Sequence, residues 1–185
     1  MGSYVSHRCV IAIDGPAASG KSSVARKLAR QLGFIYVNSG AIYRAITWHL
    51  LQNKIRPEES ERISEALDSA ALACVVRDGE ARIVVNEIDP AQHLRDDRVN
   101  ENVSRVSRLP QVREIVSQRL HDYAECHDVV IEGRDIGSVV FPTRPTNSIS
   151  MLLPRCACNV APLKGSATKS PFAIVMMFPE RSHHL

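Results

Sequence analysis

The chain has 185 residues, a hydrophobic fraction of 44% and a formal net charge of +3, values that suit one globular domain with a sizeable core. So small a charge, without a long run of Lys or Arg, argues against nucleic acid as a partner. The polar N-terminus, the lack of an apolar run of membrane-spanning length and five irregularly spaced cysteines predict a cytoplasmic protein with reduced thiols, no signal peptide and no membrane partner.

Residues 10–22 carry the most specific motif of the chain. The run Val-Ile-Ala-Ile at 10–13 is short and apolar, which is typical of a buried parallel strand. Residues 15–22 read GPAASGKS and fit the phosphate-binding pattern GxxxxGK(S/T). Apolar side chains then recur at helical spacing up to Leu32. Strand, glycine loop and helix follow each other in the order in which this loop binds phosphate.

The loop predicts a site for ATP and Mg²⁺. Gly15 and Gly20 allow backbone angles that turn N–H groups towards a phosphate, and the first helical turn adds partial positive charge. Lys21 would reach the β- and γ-phosphates, and the Ser22 hydroxyl would ligate Mg²⁺. The alternative is a glycine-rich turn with Lys21 merely exposed. The residues assigned to ATP are Gly15, Pro16, Ala17, Ala18, Ser19, Gly20, Lys21, Ser22 and Ser23.

The following segments first alternate between strand and helix and then change period. A strand and two helices are predicted over 34–37, 41–52 and 58–73. Residues 74–77 and 81–85 read as strands around Asp78-Gly79, whose turn chemistry predicts a β-hairpin. A hairpin inside an otherwise α/β chain suggests a small separate lobe.

Helical periodicity returns over 97–108 and 110–126, and 128–131 is another apolar strand run. It is followed at once by Glu-Gly-Arg-Asp at 132–135, and polar groups at the carboxyl end of such a strand lie where ligands bind. We divide the chain into the first part of the core (8–73), the small β lobe (74–96), helices with a core strand (97–146) and a tail (147–185).

Four strings in this order resemble the bacterial cytidylate kinases, members of the nucleoside monophosphate kinase group. They are IDGPAASGKSSVARKLA, NSGAIYRA, PQVRE and VVIEGRDIGSVVFP. The resemblance covers about Val10 to Pro142, and the hairpin falls where that family carries its nucleotide-binding insertion.

The resemblance implies an α/β fold, with a parallel sheet flanked by helices, and transfer of the ATP γ-phosphoryl group to CMP or dCMP with Mg²⁺. It implies catalytic roles for Lys21, Arg134 and Asp135. Carried over position by position, it assigns the acceptor nucleotide to Ser39, Arg44, Ser104, Arg113, Arg134 and Asp135. We expect a monomer whose partners are these small molecules.

The chemistry of the acceptor residues agrees with this assignment, because arginine forks suit phosphate oxygens. Other roles stay open for each of them. Arg113 would also fit a solvated helix position, and Arg44 would fit an ion pair with a surface carboxylate. Arg134 and Asp135 would fit a local ion pair at the end of a strand.

After Pro142 the resemblance stops. The tail from residue 147 has four basic residues and one acidic residue, and prolines at 154, 162, 171 and 179 prevent a long helix. A one-base frame slip is our hypothesis for the change. Codons can be chosen so that 147–165 read FYLDASPEVRVQRRAAEG in the neighbouring frame, a string that resembles the family's continuation.

The family's arginine-rich lid and last helix are then missing from this chain. We expect impaired phosphoryl transfer, a sheet without a partner at one edge and a poorly packed tail. Two other functions stay open, namely a non-catalytic nucleotide-binding remnant and a P-loop kinase of another small acceptor.

Overall fold

A computed structural model describes residues 8–142 and the backbone of the strand at 173–177. Short apolar runs form the strands, which are β1 (Val10–Asp14), β2 (Ile35–Asn38), β3 (Leu72–Arg77), β4 (Glu80–Val85), β5 (Val129–Gly133) and β6 (Ala173–Met177). Segments with helical periodicity form α1 (Lys21–Leu32), α2 (Ser39–Gln52), α3 (Ser60–Ser69), α4 (Asp97–Val106) and α5 (Pro110–Cys126). A π-helical turn, Ile136–Val140, follows β5.

The strands form one sheet in the order β3-β4-β2-β5-β1-β6. β5 runs parallel to both of its neighbours, with Val10 opposite Val129 in β1 and Ile35 opposite Val129 in β2. The carboxyl ends of β1, β2 and β5 therefore meet at one edge of the sheet. An α/β fold with a parallel central sheet and flanking helices is confirmed.

The strands bury both faces, because alternate residues point to opposite sides of a sheet. On one face, Ile11 and Ile13 pack with Ala25 and Ala29 of α1. On the other face, a larger cluster joins the sheet to α2, α3, α4 and α5, and Ile46, Ile63, Val112 and Leu120 are among its fully buried side chains.

The predicted hairpin also forms. β3 and β4 pair antiparallel around Asp78-Gly79, from Leu72 opposite Val85 to Arg77 opposite Glu80. β4 also lies beside β2, where Tyr36 N donates to Gly79 O at 2.9 Å. The hairpin thus extends the central sheet at its β2 side.

Helix α3 is shorter at both ends than the predicted 58–73. It begins at Ser60 because Pro57 lies in a turn, in which the Glu59 carboxylate accepts a hydrogen bond from Arg56 N at 2.7 Å. It ends at Ser69 because Leu72, which is buried, pairs with Val85 in the hairpin. Tertiary pairing overrides the helical periodicity here.

The expectation that the sheet lacks a partner at one edge is wrong. β6 lies in the tail and pairs antiparallel with β1, with Ala12 opposite Val175. Its backbone supplies the missing hydrogen-bond partners of that edge. The rest of the tail, and with it the predicted poor packing, lies outside the described residues. Within the described part of the chain, no helix is both long and apolar enough to cross a membrane.

Candidate functional site

The phosphate-binding loop connects β1 to α1. Gly20 caps the helix at φ 82, a left-handed conformation that a side chain would strain, and Ala18 takes a similar conformation at φ 59. Gly15 differs from our expectation, because its N–H donates to Gly133 O at 3.2 Å. Alternation of left-handed and other residues forms the concave backbone nests that bind anions.

Lys21 lies folded against this loop. Its side chain is 8% exposed, and its ammonium donates to Pro16 O at 2.5 Å and to Ser19 Oγ at 3.3 Å. The reading of Lys21 as merely exposed is therefore wrong. The loop and the first turn of α1 present a lysine cation and a free helix N-terminus at one place, as anion binding requires.

Glu132 is a buried carboxylate that contacts the phosphate-binding loop at Ser22. It lies near the end of β5, is 4% exposed, and accepts hydrogen bonds from Ser22 Oγ at 2.7 Å and from the Tyr36 hydroxyl. Burial, together with this bond to Glu132, raises the pKa of Tyr36 well above its ordinary value. Tyr36 therefore stays protonated near neutral pH and acts as the donor to the carboxylate.

Asp14 joins the end of β1 to the segment after β5. Its carboxylate accepts from Ile136 N at 2.7 Å and from Gly137 N at 2.8 Å, which are the first residues of the π-helical turn. The segment containing Arg134 and Asp135 is thus tied to the residue immediately before the phosphate-binding loop.

Ser39 begins α2 directly after β2 and is 5% exposed. Its hydroxyl donates to Glu132 O at 2.8 Å, so the end of β2 contacts the end of β5. Further along α2, Arg44 donates to Leu94 O at 2.9 Å and to Asn100 Oδ1 at 2.5 Å. Among the described residues, Arg44 therefore forms none of the surface ion pairs considered from the sequence.

Arg113 and Asp135 form an ion pair at 3.4 Å between α5 and the segment after β5. Tyr43 of α2 lies within electrostatic reach of both. The pKa of Tyr43 is raised, mainly by burial; Arg113 lowers it and Asp135 raises it further. Arg113 is therefore not a simply solvated helix residue. Arg134 is exposed and forms no ion pair with Asp135 or with another of the described residues.

Ser104 stands apart from the other predicted acceptor residues. It is an exposed residue of α4, and its carbonyl accepts from Ser107 Oγ at 3.3 Å. Arg44 reaches the same helix at Asn100, which is one turn away from Ser104. The structure thus brings Ser39, Arg113, Arg134 and Asp135 to the sheet edge and links Arg44 to α4, whereas no described contact joins Ser104 to them.

Sequence reasoning did not assign roles to Asp14, Tyr36 or Glu132. A usable signal existed for the two carboxylates, since Asp14 ends the strand run VIAID and Glu132 directly follows the apolar residues of the strand run VVIEG. Tyr36 gave no such signal, because an aromatic residue within a strand reads as core.

Comparison with known proteins places these residues in a family. The family model described as Cytidylate kinase matches residues 11–147. A cytidylate kinase of Caldanaerobacter subterraneus subsp. tengcongensis is 46% identical over 132 residues, which are 71% of this chain and 57% of that protein. One of Carboxydothermus hydrogenoformans is 41% identical over 71% of this chain and 60% of its own length.

A third relative is the bifunctional pantoate ligase/cytidylate kinase of Prochlorococcus marinus strain NATL1A, which is 38% identical over 75% of this chain and 27% of its own length. The chain spans 57% to 60% of the length of the first single-function relatives. The match includes the phosphate-binding loop and the carboxyl ends of β1, β2 and β5. The chain belongs to the cytidylate kinase family.

Proposed function

We propose that this chain binds ATP and a cytidine monophosphate and transfers the γ-phosphoryl group of ATP to CMP or dCMP. The observation that carries the proposal is the meeting of three strand ends. The phosphate-binding loop follows β1, Ser39 follows β2, and Arg134 with Asp135 follows β5, and these three strands are adjacent in the sheet. A donor site and an acceptor site at one sheet edge are what phosphoryl transfer requires, because its catalysis consists largely of positioning and charge neutralisation.

The donor half of the site consists of residues 15–23. Lys21 would leave its contacts with Pro16 O and Ser19 Oγ and donate to the β- and γ-phosphates of ATP. The N–H groups of the loop and of the first turn of α1 would hold the remaining phosphate oxygens.

Ser22 and Glu132 suit a magnesium ion. A hydroxyl oxygen and a carboxylate oxygen lie 2.7 Å apart behind the loop, and Mg²⁺ in phosphoryl-transfer sites takes few protein ligands, which are oxygen atoms. The ion, when bound with ATP, neutralises charge on the phosphates. The Ser22 hydroxyl oxygen would be its direct ligand, and Glu132 would accept a hydrogen bond from the same hydroxyl.

The acceptor half of the site would use Ser39, Arg44, Ser104, Arg113, Arg134 and Asp135. Arg134 has no competing ion pair among the described residues, so its guanidinium is available for the phosphate of CMP. Arg113 would exchange its ion pair with Asp135 for the same phosphate, which frees Asp135 to accept from the nucleoside. We further propose that the protein is a cytoplasmic monomer.

The decisive experiment measures ADP release with CMP, dCMP, UMP or AMP as the acceptor. We expect turnover with CMP and dCMP and little with UMP or AMP. Equal rates with all four acceptors would favour a P-loop kinase of another acceptor. ATP binding without turnover on any acceptor would favour a non-catalytic remnant.

A non-catalytic nucleotide-binding remnant is the second candidate function, and one observation favours it. The match to the family model ends at residue 147, and β6, which lies beyond it, runs antiparallel to β1. The chain as given should therefore transfer phosphate far more slowly than one whose residues from 147 onwards carry the alternative-frame ending. Rates of about 1–100 per second, which are ordinary for kinases, in the unaltered chain would exclude the remnant. If limited proteolysis also leaves the tail intact, the frame-slip hypothesis is wrong as well.

A further inference from the structure

A buried tyrosine–carboxylate pair lies directly behind the phosphate-binding loop. Glu132 Oε1 accepts two hydrogen bonds, one from Ser22 Oγ at 2.7 Å and one from the Tyr36 hydroxyl. Glu132 Oε2 accepts no hydrogen bond from the residues that the structure describes. It is also not one of the solvent-inaccessible side-chain atoms that lack a partner among those residues. One oxygen of the carboxylate is therefore fully occupied by the protein, and the other stays available.

Tyr36 is held in place independently of Glu132. The ring lies under the Arg26 guanidinium, 4.7 Å from its centroid, and that guanidinium pairs with Glu80 at 2.9 Å. The Tyr36 hydroxyl accepts from Asn38 Nδ2 at 3.3 Å, and the residue is 3% exposed. The tyrosine is thus a rigid donor that fixes one oxygen of Glu132.

The position of this oxygen decides what Ser22 offers to a ligand. A serine hydroxyl has one proton and two acceptor lone pairs. While Ser22 donates its proton to Glu132 Oε1, the proton points away from the side on which a lone pair can bind a cation. Without the hydrogen bond from Tyr36, the Glu132 carboxylate would rotate. The Ser22 proton would then compete with the cation for the same side of Ser22 Oγ.

We propose that Tyr36 is a positioning residue for the Mg²⁺ that accompanies ATP, acting through Glu132 on the Ser22 hydroxyl. The inference rests on the proposed function, since it assumes that the loop binds ATP. It predicts a specific defect in Tyr36→Phe, which keeps the buried ring and removes only the hydroxyl.

The test is isothermal titration of the full chain with ATP, once in EDTA and once in excess Mg²⁺. In Tyr36→Phe the affinity in EDTA should stay within about twofold, because Lys21 and the loop backbone are untouched. The gain in affinity from Mg²⁺ should fall about tenfold or more, as is usual when a group that orients a metal ligand is removed.

Tyr123→Phe is the matched control. Tyr123 is also buried, at 5% exposure, and its hydroxyl lies 3.4 Å from Val75 O and Arg82 O in the hairpin. Removing this hydroxyl should leave both affinities unchanged. Glu132→Gln should lose the Mg²⁺ gain as Tyr36→Phe does, and adding Tyr36→Phe to it should cause no further loss.

Each other outcome overturns the inference. An unchanged Mg²⁺ gain in Tyr36→Phe or in Glu132→Gln would show that the pair does not act on the cation. Equal losses in EDTA and in Mg²⁺ would mean that the hydroxyl only stabilises the fold. If the unaltered chain binds no ATP under either condition, the proposed function fails and the inference fails with it. Binding of ATP with a Mg²⁺ gain that Tyr36→Phe retains would refute the inference alone.

Discussion

Gly133→Ala should disturb the contact between the strand ends at the centre of the site. A Cβ atom at Gly133 would lie 2.6 Å from Ser39 Oγ and 2.6 Å from both Cγ1 and Cδ1 of Ile136. Ordinary carbon contacts are about 3.5–4.0 Å, so these atoms must move by roughly 1 Å. Moving Ser39 Oγ away would weaken or break the hydrogen bond that it donates to Glu132 O at 2.8 Å.

The cost follows from two terms. Overpacking of a well-packed site costs typically about 1–3 kcal/mol, and loss of the Ser39 hydrogen bond adds about 1 kcal/mol. The two terms together amount to about 2–4 kcal/mol. With about 2–4 °C of melting temperature per kcal/mol for a chain of this size, we expect a fall of roughly 4–16 °C in thermal unfolding followed by circular dichroism.

Gly40→Ala is the matched control for this change. Gly40 is exposed on α2, and an added Cβ would approach a single atom within 4 Å, Asn38 Oδ1 at 3.1 Å. Alanine is also favoured over glycine in a helix by about 0.5–1 kcal/mol, so this variant should unfold close to the wild-type temperature. A Gly133→Ala protein as stable as Gly40→Ala would refute the close approach of β5, α2 and the π-helical turn.

Two further predictions separate the donor site from the acceptor site. Lys21→Ala removes the cation that faces the phosphates, so calorimetry should show ATP affinity about tenfold weaker or worse, from the roughly 1.5–3 kcal/mol of a hydrogen bond to a charged group; an unchanged affinity would contradict the donor site. Arg44→Ala and Arg134→Ala should each weaken CMP binding by about the same 1.5–3 kcal/mol and change ATP affinity much less. Equal losses of affinity for both nucleotides would show that these arginines are assigned to the wrong half of the site.

The local parts of this fold could be predicted from the sequence. The loop with its flanking strand and helix is marked by a motif and by periodicity within one stretch of chain, and α5 begins at Pro110 and ends at Cys126 as predicted. The hairpin was equally readable, because Asp78-Gly79 specifies the turn that its strands require.

The contacts that organise the site could not be predicted in the same way. Tyr36 and Glu132 are 96 residues apart in the chain, and Asp14 and Ile136 are 122 apart. Their meeting depends on the register of β2, β5 and β1, in which Asn38 lies opposite Glu132 and Asp14 lies opposite Gly133. Register is fixed by the whole buried face of a sheet, and a single sequence does not reveal it.

The tail gives the opposite case, in which a readable local signal was overlooked. Residues 173–177 read AIVMM, a short apolar run with two β-branched residues between prolines at 171 and 179. Such a run is typical of a strand, but the low periodicity of the tail as a whole hid it. In the sheet it lies beside β1, the strand that leads into the phosphate-binding loop.

This pairing makes a prediction that depends on backbone direction alone. Successive N–H groups of a strand point alternately to its two sides, so of the N–H groups at 174 and 175 one faces β1 and the other faces away. Proline cannot donate to the ladder and is tolerated only where its position faces solvent. Ile174→Pro and Val175→Pro should therefore differ in stability, with the worse variant losing at least the roughly 1 kcal/mol of one hydrogen bond in urea unfolding. Because β6 is an edge strand beside β1, the better variant should stay near wild type. If both prolines are harmless, residues 173–177 do not form this strand in solution, and the edge of β1 is left open as the sequence first suggested.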